Sequence, residues 1–586
     1  MDAPRTLRPA IQKRGSVLVI SLLILTVLSL LGLAILSMAL TEGNIATNWR
    51  DQNQAFYAAE AGAESGVSSL RTLLAGTASP TDTQLGAIAA PALSDSKFSF
   101  ATYQTQRVRP TPYQTTIDHG SYQGLIGFSM DYQITAQVNG PRGTRSGVTQ
   151  VLQYMQIPLF QFGIFYGKGV DLEMAPGQPM FFNGRVHANS NIYIRNDNNG
   201  DLGSLPHPPY PTGATSTMMF DSYMTTAGAI YRYIKRDGSS NHGPGWTPQF
   251  KGADGAYHAL NFDHSSNMDF ASSWSANEWK SAALSTFGGK VLDSSMGVQE
   301  ITPPIPDLFN NPSNPDQIAH QMIEKGSSSD SDALKAAKLY FQADLRIVNG
   351  VATNKSGSMV TLPAGVVSTK SFFDKRENAT ITVTEVNIAA LRTSGQSPGN
   401  GILYVTNDAA NNSVRLVDGS QLPSSTAGGF TVVSEKPVYI QGDYNTTNKG
   451  AAAVMADAVT ILSNNWKANN SDAKGDQATS NRPASSNTTV NAAFALGPSV
   501  ESTIGAGNGQ LENVIRFLED WGSSRTFKYN GSLVSLWHSQ HAQGAWGGGY
   551  YNPPRRDWSY DELFKTSQPP GAPRGILMAK GRWSQL

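Results

Sequence analysis

Three aspartates, Asp344, Asp443 and Asp457, stand where short strand-like runs end, and carboxylates on neighbouring β coils are what a polysaccharide-cleaving site would use. Inverting glycoside chemistry needs two of them roughly 6.5 to 9.5 Å apart. Sequence fixes no such pair, and an Asp at a turn is more often a local hydrogen-bond acceptor than a catalyst. His538 and His541, three apart beside Trp537 and Trp546, would share a helical face as metal ligands. No third ligand accompanies them, and the glycines between 544 and 549 favour an aromatic loop instead. Asp197, Asn199 and Asp201 offer hard oxygens to calcium, but they lack the EF-hand order of acids and its closing Glu, so a solvated turn is the stronger reading. Gly395-Gln396-Ser397-Pro398-Gly399 fits Gly-x-Ser-x-Gly only on paper. A nucleophile elbow needs a strand before the Ser and a helix after it, and here a strand follows. Neither a phosphate-binding Gly-x-x-x-x-Gly-Lys-Ser/Thr nor His-Glu-x-x-His occurs. With no cysteine there are no disulfides, thiolate metal sites or cysteine nucleophiles. The expectation is a protein without a catalytic site, metal or cofactor, calcium at the 197–201 turn being the one weak exception.

Lysine plus arginine equals aspartate plus glutamate at 44 each, so no basic patch announces a nucleic-acid partner. Only 15% of residues are charged, and Gly, Ser, Thr and Asn are abundant, a balance that favours turns and uncharged β surfaces. The length of 586 residues corresponds to roughly three or four domain-sized units, or to one elongated β structure.

Residues 16–40, from Ser16 to Leu40, carry no charge and are long enough to cross about 30 Å of hydrocarbon as a helix. Arg5, Arg8, Lys13 and Arg14 precede the run, whereas Glu42, Arg50 and Asp51 follow it. The positive-inside bias therefore puts the amino end in the cytoplasm and the remainder outside. An ordinary signal peptide cut after Ser37-Met38-Ala39 is the alternative. Against it, the apolar run is about twice the usual h-region, and helical periodicity continues past the cut. Trp49, Phe56, Ala63 and Leu70 recur every seven residues with Ile45 and Ala59 alongside, which predicts one helix through residue 74, on the order of 90 Å long at about 1.5 Å per residue.

Lys-Arg-Gly before this span, and the segment NWRDQNQAFYAAEAGAESG after it, resemble the N-terminal module of PilX-type minor pilins. The resemblance covers about the first 70 residues. It implies a leader ending at Gly15, cleavage by prepilin peptidase between Gly15 and Ser16, and N-methylation of Ser16. It also implies partnership with other pilins through the N-terminal helix. The fifth mature position, Glu in major pilins, is Ile20 here. An intramembrane carboxylate is costly unless paired, and in major pilins it pairs with the neighbouring subunit's new amino group. PilX-like proteins and tip pseudopilins commonly lack it, so the resemblance implies a subunit that initiates or caps a filament rather than its bulk subunit.

Alternation at Phe128, Met130, Tyr132, Ile134, Ala136 and Val138, a turn at 139–143 and a second run over 148–157 predict antiparallel strands that cover the helix. Short strands bounded by Gly, Asn or Asp recur at 186–194, 343–348, 401–406, 414–417, 430–433, 437–444 and 458–463, without a fixed period. They suit an irregular β-helix-like solenoid or a sandwich. Residues 316–325 and 330–340 read as short helices. The aromatic stretch from Trp521 through Tyr551 to Trp558 fits a contact surface and core anchors equally. Blocks such as NGRVHANSNIYI and GFTVVSEKPVYIQGDYNT also resemble the C-terminal region of large PilX-like assembly proteins.

The fold class expected is α+β. A basic leader (1–15) precedes the transmembrane half of the helix (16–40), then an amphipathic helix with a pilin-like sheet (41–160). A β-rich ectodomain (161–500) with an insertion (196–312) and an aromatic-rich C-terminal region (501–586) complete it. The function expected is that of a structural minor pilin in the inner membrane, its ectodomain periplasmic or carried on the pilus. The alternatives are a tip pseudopilin of a type II secretion system, or a surface adhesin that binds a glycan or a protein ligand.

Overall fold

The computed structural model describes residues 14–586 except 78, 177–178, 196–217, 233–234, 236–247, 261–275, 310–312, 426–427, 469–483, 501–507, 523, 545 and 547–549. Helix α1 runs unbroken from Arg14–Gly76, 63 residues without a proline, and Pro80 follows shortly after its end. Its first half is exposed along every face, and none of the described residues packs on the large apolar side chains from Val17 to Leu40. The second half buries Ala55, Ala59, Ala63, Val67, Leu70 and Leu74, spaced three and four apart on one face.

That buried stripe differs from the one read in the sequence. Ala59, Ala63 and Leu70 are inside and Phe56 is half-buried, but Trp49 is 71% exposed and Ile45 62%. The sheet over α1 ends at the level of Asn48, so the apolar periodicity continues beyond its cover.

The cover is an antiparallel sheet containing β1 (Ser99–Arg107), β2 (Tyr113–Thr116), β3 (Ile126–Asn139) and β4 (Arg145–Pro158). Met130, Tyr132, Ile134, Ala136 and Val138 are buried, as their alternation requires. The β3–β4 connection is the expected turn, with Arg142 in the left-handed region at φ 56°. The strand beside β4 is Arg574–Gln585, which we term the closing strand. The chain thus leaves the sheet after Pro158 and re-enters it beside the point of exit, where the Leu159 N–H donates to the Pro573 carbonyl at 2.8 Å. Residues 501–586 are therefore not one region: 574–585 completes the first sheet, and 526–535 and 555–560 belong to the ectodomain.

Between those two points most strands pair in parallel, coil upon coil, with antiparallel hairpins at 249–259, 345–354 and 367–387. One face stacks Leu345–Val348, Ile402–Thr406, Gly429–Ser434, Ala451–Ala456, Thr488–Ala495 and Thr526–Ser535 in order. The last of these pairs with Ile164–Tyr166, which continues through Val186–Ala188 and Met224–Thr226 to Val291–Leu292. The chain therefore builds the stack outward from 164, returns along it through 293–344, and winds back to meet its own start. A second face stacks Ala379–Asn387, Asn412–Val417, Val438–Gln441, Val459–Leu462 and Ile515–Phe517. Within the 196–312 stretch, strands among the described residues extend these coils, alongside an antiparallel strand, Tyr257–Ala259, and a helix, Ala276–Ser285. Met218–Phe220 sits in register on Met180–Phe182, and Gln249–Lys251 sits on Met218–Phe220. Their phenylalanines form an internal stack, Phe182 on Phe220 at 4.7 Å and Phe220 on Phe250 at 4.5 Å. The return segment carries the short helices Pro315–His320 and Asp332–Ala337, shorter than their sequence patterns.

Candidate functional site

The segment of α1 just beyond the apolar span carries the polar side chains that hold the sheet. Asp51 is buried and receives the Arg142 guanidinium from the β3–β4 turn. Arg142 Nε also donates to Asn48 Oδ1 at 3.1 Å, and Gln52 Nε2 donates to the Arg145 carbonyl at 2.9 Å. Farther along, two glycines let helix and sheet approach. A Cβ at Gly62 would lie 2.5 Å from the Phe100 ring, and one at Gly66 would lie 2.7 Å from Ile134 Cγ2. Tyr103 Oη donates to the Gly62 carbonyl at 3.1 Å, marking the same contact. The closing strand adds Lys580, whose ammonium bonds both Glu64 carboxylate oxygens at 2.6 and 2.7 Å. It also adds Trp583, edge-on to Phe56 at 6.2 Å between centroids.

This arrangement clamps the outer half of one helix and leaves the inner half bare. Gly15 and Ser16 lie in its first turn, and Ile20 is exposed on the span. It is the one helix among the described residues that is long and apolar enough to cross a membrane, which fits a single-pass membrane-anchored protein.

The ectodomain residues singled out for chemistry each have hydrogen-bond partners within the fold. Asp344 accepts the Asn400 N–H at 2.8 Å. Asp443 accepts Thr489 N–H at 2.8 Å and Asn464 Nδ2 at 3.0 Å. Ser397 lies in the turn between helix Ile388–Thr393 and strand Ile402–Thr406, the reverse of elbow order, and donates to the Leu391 carbonyl. His538 bonds Asp316 at 2.9 Å and His541 approaches Lys436 Nζ at 3.4 Å, both from a loop. Among the described residues no three His, Cys, Asp or Glu converge as metal ligands. The calcium candidates Asp197, Asn199 and Asp201 lie outside the described residues. Trp521, Trp537, Tyr551 and Trp558 are buried, so these four aromatics are core anchors, not an exposed contact surface.

A cluster invisible in the sequence surrounds Asp457. The side chains after three successive strands of one face, Asp408, Glu435 and Asp457, meet the return segment at one corner. Lys325 Nζ bonds Asp408 at 2.8 Å, its backbone N–H donates to Glu435 at 2.7 Å, and His320 Nε2 bonds Asp457 at 3.2 Å. Asp457 also accepts Ser539 Oγ and the Gln540 N–H, both at 2.5 Å. His320 is enclosed by Glu324 at 3.1 Å, Asp457 and the Trp537 ring. Burial alone would lower its pKa, but the hydrogen bonds and charges of Asp457 and Glu324 outweigh it and raise it to about 9. His187 has the opposite setting. It is buried against Tyr122, Phe162 and Phe165, and desolvation lowers it to about 4. A lone histidine on a six-residue helix and an aspartate far along the chain give no local signal of pairing.

No curated protein matches this chain. Among solved structures, the crystal structure of the competence-associated pilin ComZ from Thermus thermophilus aligns with 92% of this chain and 98% of its own, at 11% identity and a TM-score of 0.28. A likeness that distant carries no argument about this chain's fold or role. The match that does is local: residues 14–64 fit the family described as PilX N-terminal, and they contain both the bare half of α1 and the Asn48, Asp51 and Gln52 clamp. Over residues 14–64, and there alone, this chain is similar to the amino-terminal module of the PilX family.

Proposed function

We propose that this chain is a structural minor pilin of a type IV pilus system, anchored in the inner membrane with its amino end cytoplasmic. Prepilin peptidase cuts between Gly15 and Ser16, and Ser16 becomes the methylated first residue. Residues 16–40 then pack among the helices of other pilins through close van der Waals contact, since lipid tails are as apolar as these side chains. With Ile20 in place of an intramembrane carboxylate, the subunit enters in few copies, at the start or cap of the filament, and carries its ectodomain at the tip. It catalyses no reaction and needs no cofactor. The observation behind this reading is a helix whose first half is wholly uncovered while its second half is locked to a sheet.

The test is intact-mass and N-terminal analysis of the membrane-extracted protein, with and without active prepilin peptidase. A peptidase-dependent chain beginning at methylated Ser16 supports the proposal. A chain beginning near Met1 or at Leu40 would falsify it.

A further inference from the structure

The closing strand follows the whole ectodomain in the chain, yet it fills the core beneath α1. Ile576 is buried with Val67, Leu70, Leu74 and Tyr154. Its backbone is held from both sides, by β4 opposite Gln156 and by the return segment, where Ile576 N–H donates to the Thr302 carbonyl at 2.7 Å. Gly575 sits so close to the ectodomain that a Cβ there would lie 2.0 Å from Ile301 Cγ2. Lys580 and Trp583 then reach Glu64 and Phe56 on α1. With residues 159–573 unfolded, the two ends of the insert would average on the order of 100 Å apart. In the folded protein they share a hydrogen bond.

From this we infer that the closing strand makes completion of the helix-docking module conditional on a folded ectodomain. The coils bring Pro573 to Leu159 and Thr302 to Ile576, and only then does the strand complete the sheet that clamps α1. A chain with a misfolded ectodomain offers an unfinished module, with the outer edge of β4 unpaired and the Val67, Leu70 and Leu74 face partly open. Resting on the proposed pilin function, this excludes defective subunits from the filament.

The experiment is a urea titration of the full chain in detergent, with pulsed hydrogen exchange read separately at residues 451–462 in the coils and at β4 with the closing strand. Val454→Ala removes two methyls from the coil interior, where Val454 is fully buried, and is mild enough to leave the native fold formed. The expected result is that it lowers both midpoints together. A coil midpoint that falls while β4 and the closing strand keep theirs overturns the inference. Ile576→Ala is the converse variant and is expected to lower the β4 midpoint and leave the coils in place. Neither readout depends on a pilus, so joint midpoints in a chain that is never cut after Gly15 would refute the proposed function and leave this coupling standing.

Discussion

The Asp51 carboxylate on α1 and the Arg142 guanidinium at the tip of the β3–β4 hairpin form an ion pair in which Asp51 is almost wholly buried and Arg142 half-exposed. It fixes the membrane-proximal end of the sheet at one point along the helix. Arg142→Ala leaves the buried carboxylate without its main partner and is expected to cost about 1–3 kcal/mol. Chemical denaturation of the detergent-solubilised protein measures it. Asp51→Asn, which removes the charge that needs compensating, is expected to cost less than Arg142→Ala.

Gly62 and Gly66 answer differently to the same substitution. Alanine raises helix propensity by about 1 kcal/mol at either site. At Gly66 the added methyl meets Ile134, which is fully buried and cannot retreat, so Gly66→Ala is expected to destabilise despite that gain, by about 1–3 kcal/mol. At Gly62 it meets the half-buried Phe100 ring, which can swing aside. Thermal unfolding of the two variants should separate them.

Two histidines give stability opposite dependences on pH. His320 binds its proton more tightly folded than unfolded, so its contribution is complete below about 6.5 and disappears as pH rises through about 9. His187 is depressed to about 4 by burial. Its contribution is complete above about 6.5 and is lost as pH falls toward and through about 4. His320→Gln is expected to flatten the alkaline limb of a stability profile and leave the acid limb unchanged. An alkaline limb unmoved by that variant would remove His320 from the account.

Phe220 lies between Phe182 and Phe250 inside the first coils. Phe220→Ala leaves a void with stacked rings on both sides and is expected to cost about 3–5 kcal/mol, read as faster exchange in 180–182 and 249–251.

How legible these features are in the sequence depends on how local their causes are. The uncharged run of α1 and the alternation from Met130 to Val138 are properties of consecutive residues, and both are readable. The coils are built from strands such as Met180–Phe182 and Met218–Phe220, three residues long and buried throughout, too short to show a period. Strands on the principal face begin at 402, 429, 451, 488 and 526, so no repeat length exists to be found. The closing strand is mixed with Arg, Lys and Gly because it lies at an edge, and its partner β4 precedes the entire ectodomain. The His320 and Asp457 contact is equally non-local. Trp49 shows the converse failure, since its periodicity is correct for α1 but none of the described residues covers it.

The adjacency of Leu159 and Pro573 also decides how the molecule bears tension. A pull on the ectodomain enters the helix-docking module through two neighbouring strands at the same edge, and it draws β4 and the closing strand in one direction. Their mutual ladder is therefore not sheared. The load passes to the ladder between β4 and β3, paired continuously from Phe128 with Gln156 to Asn139 with Arg145. Those hydrogen bonds lie across the direction of pull and must yield together rather than one at a time.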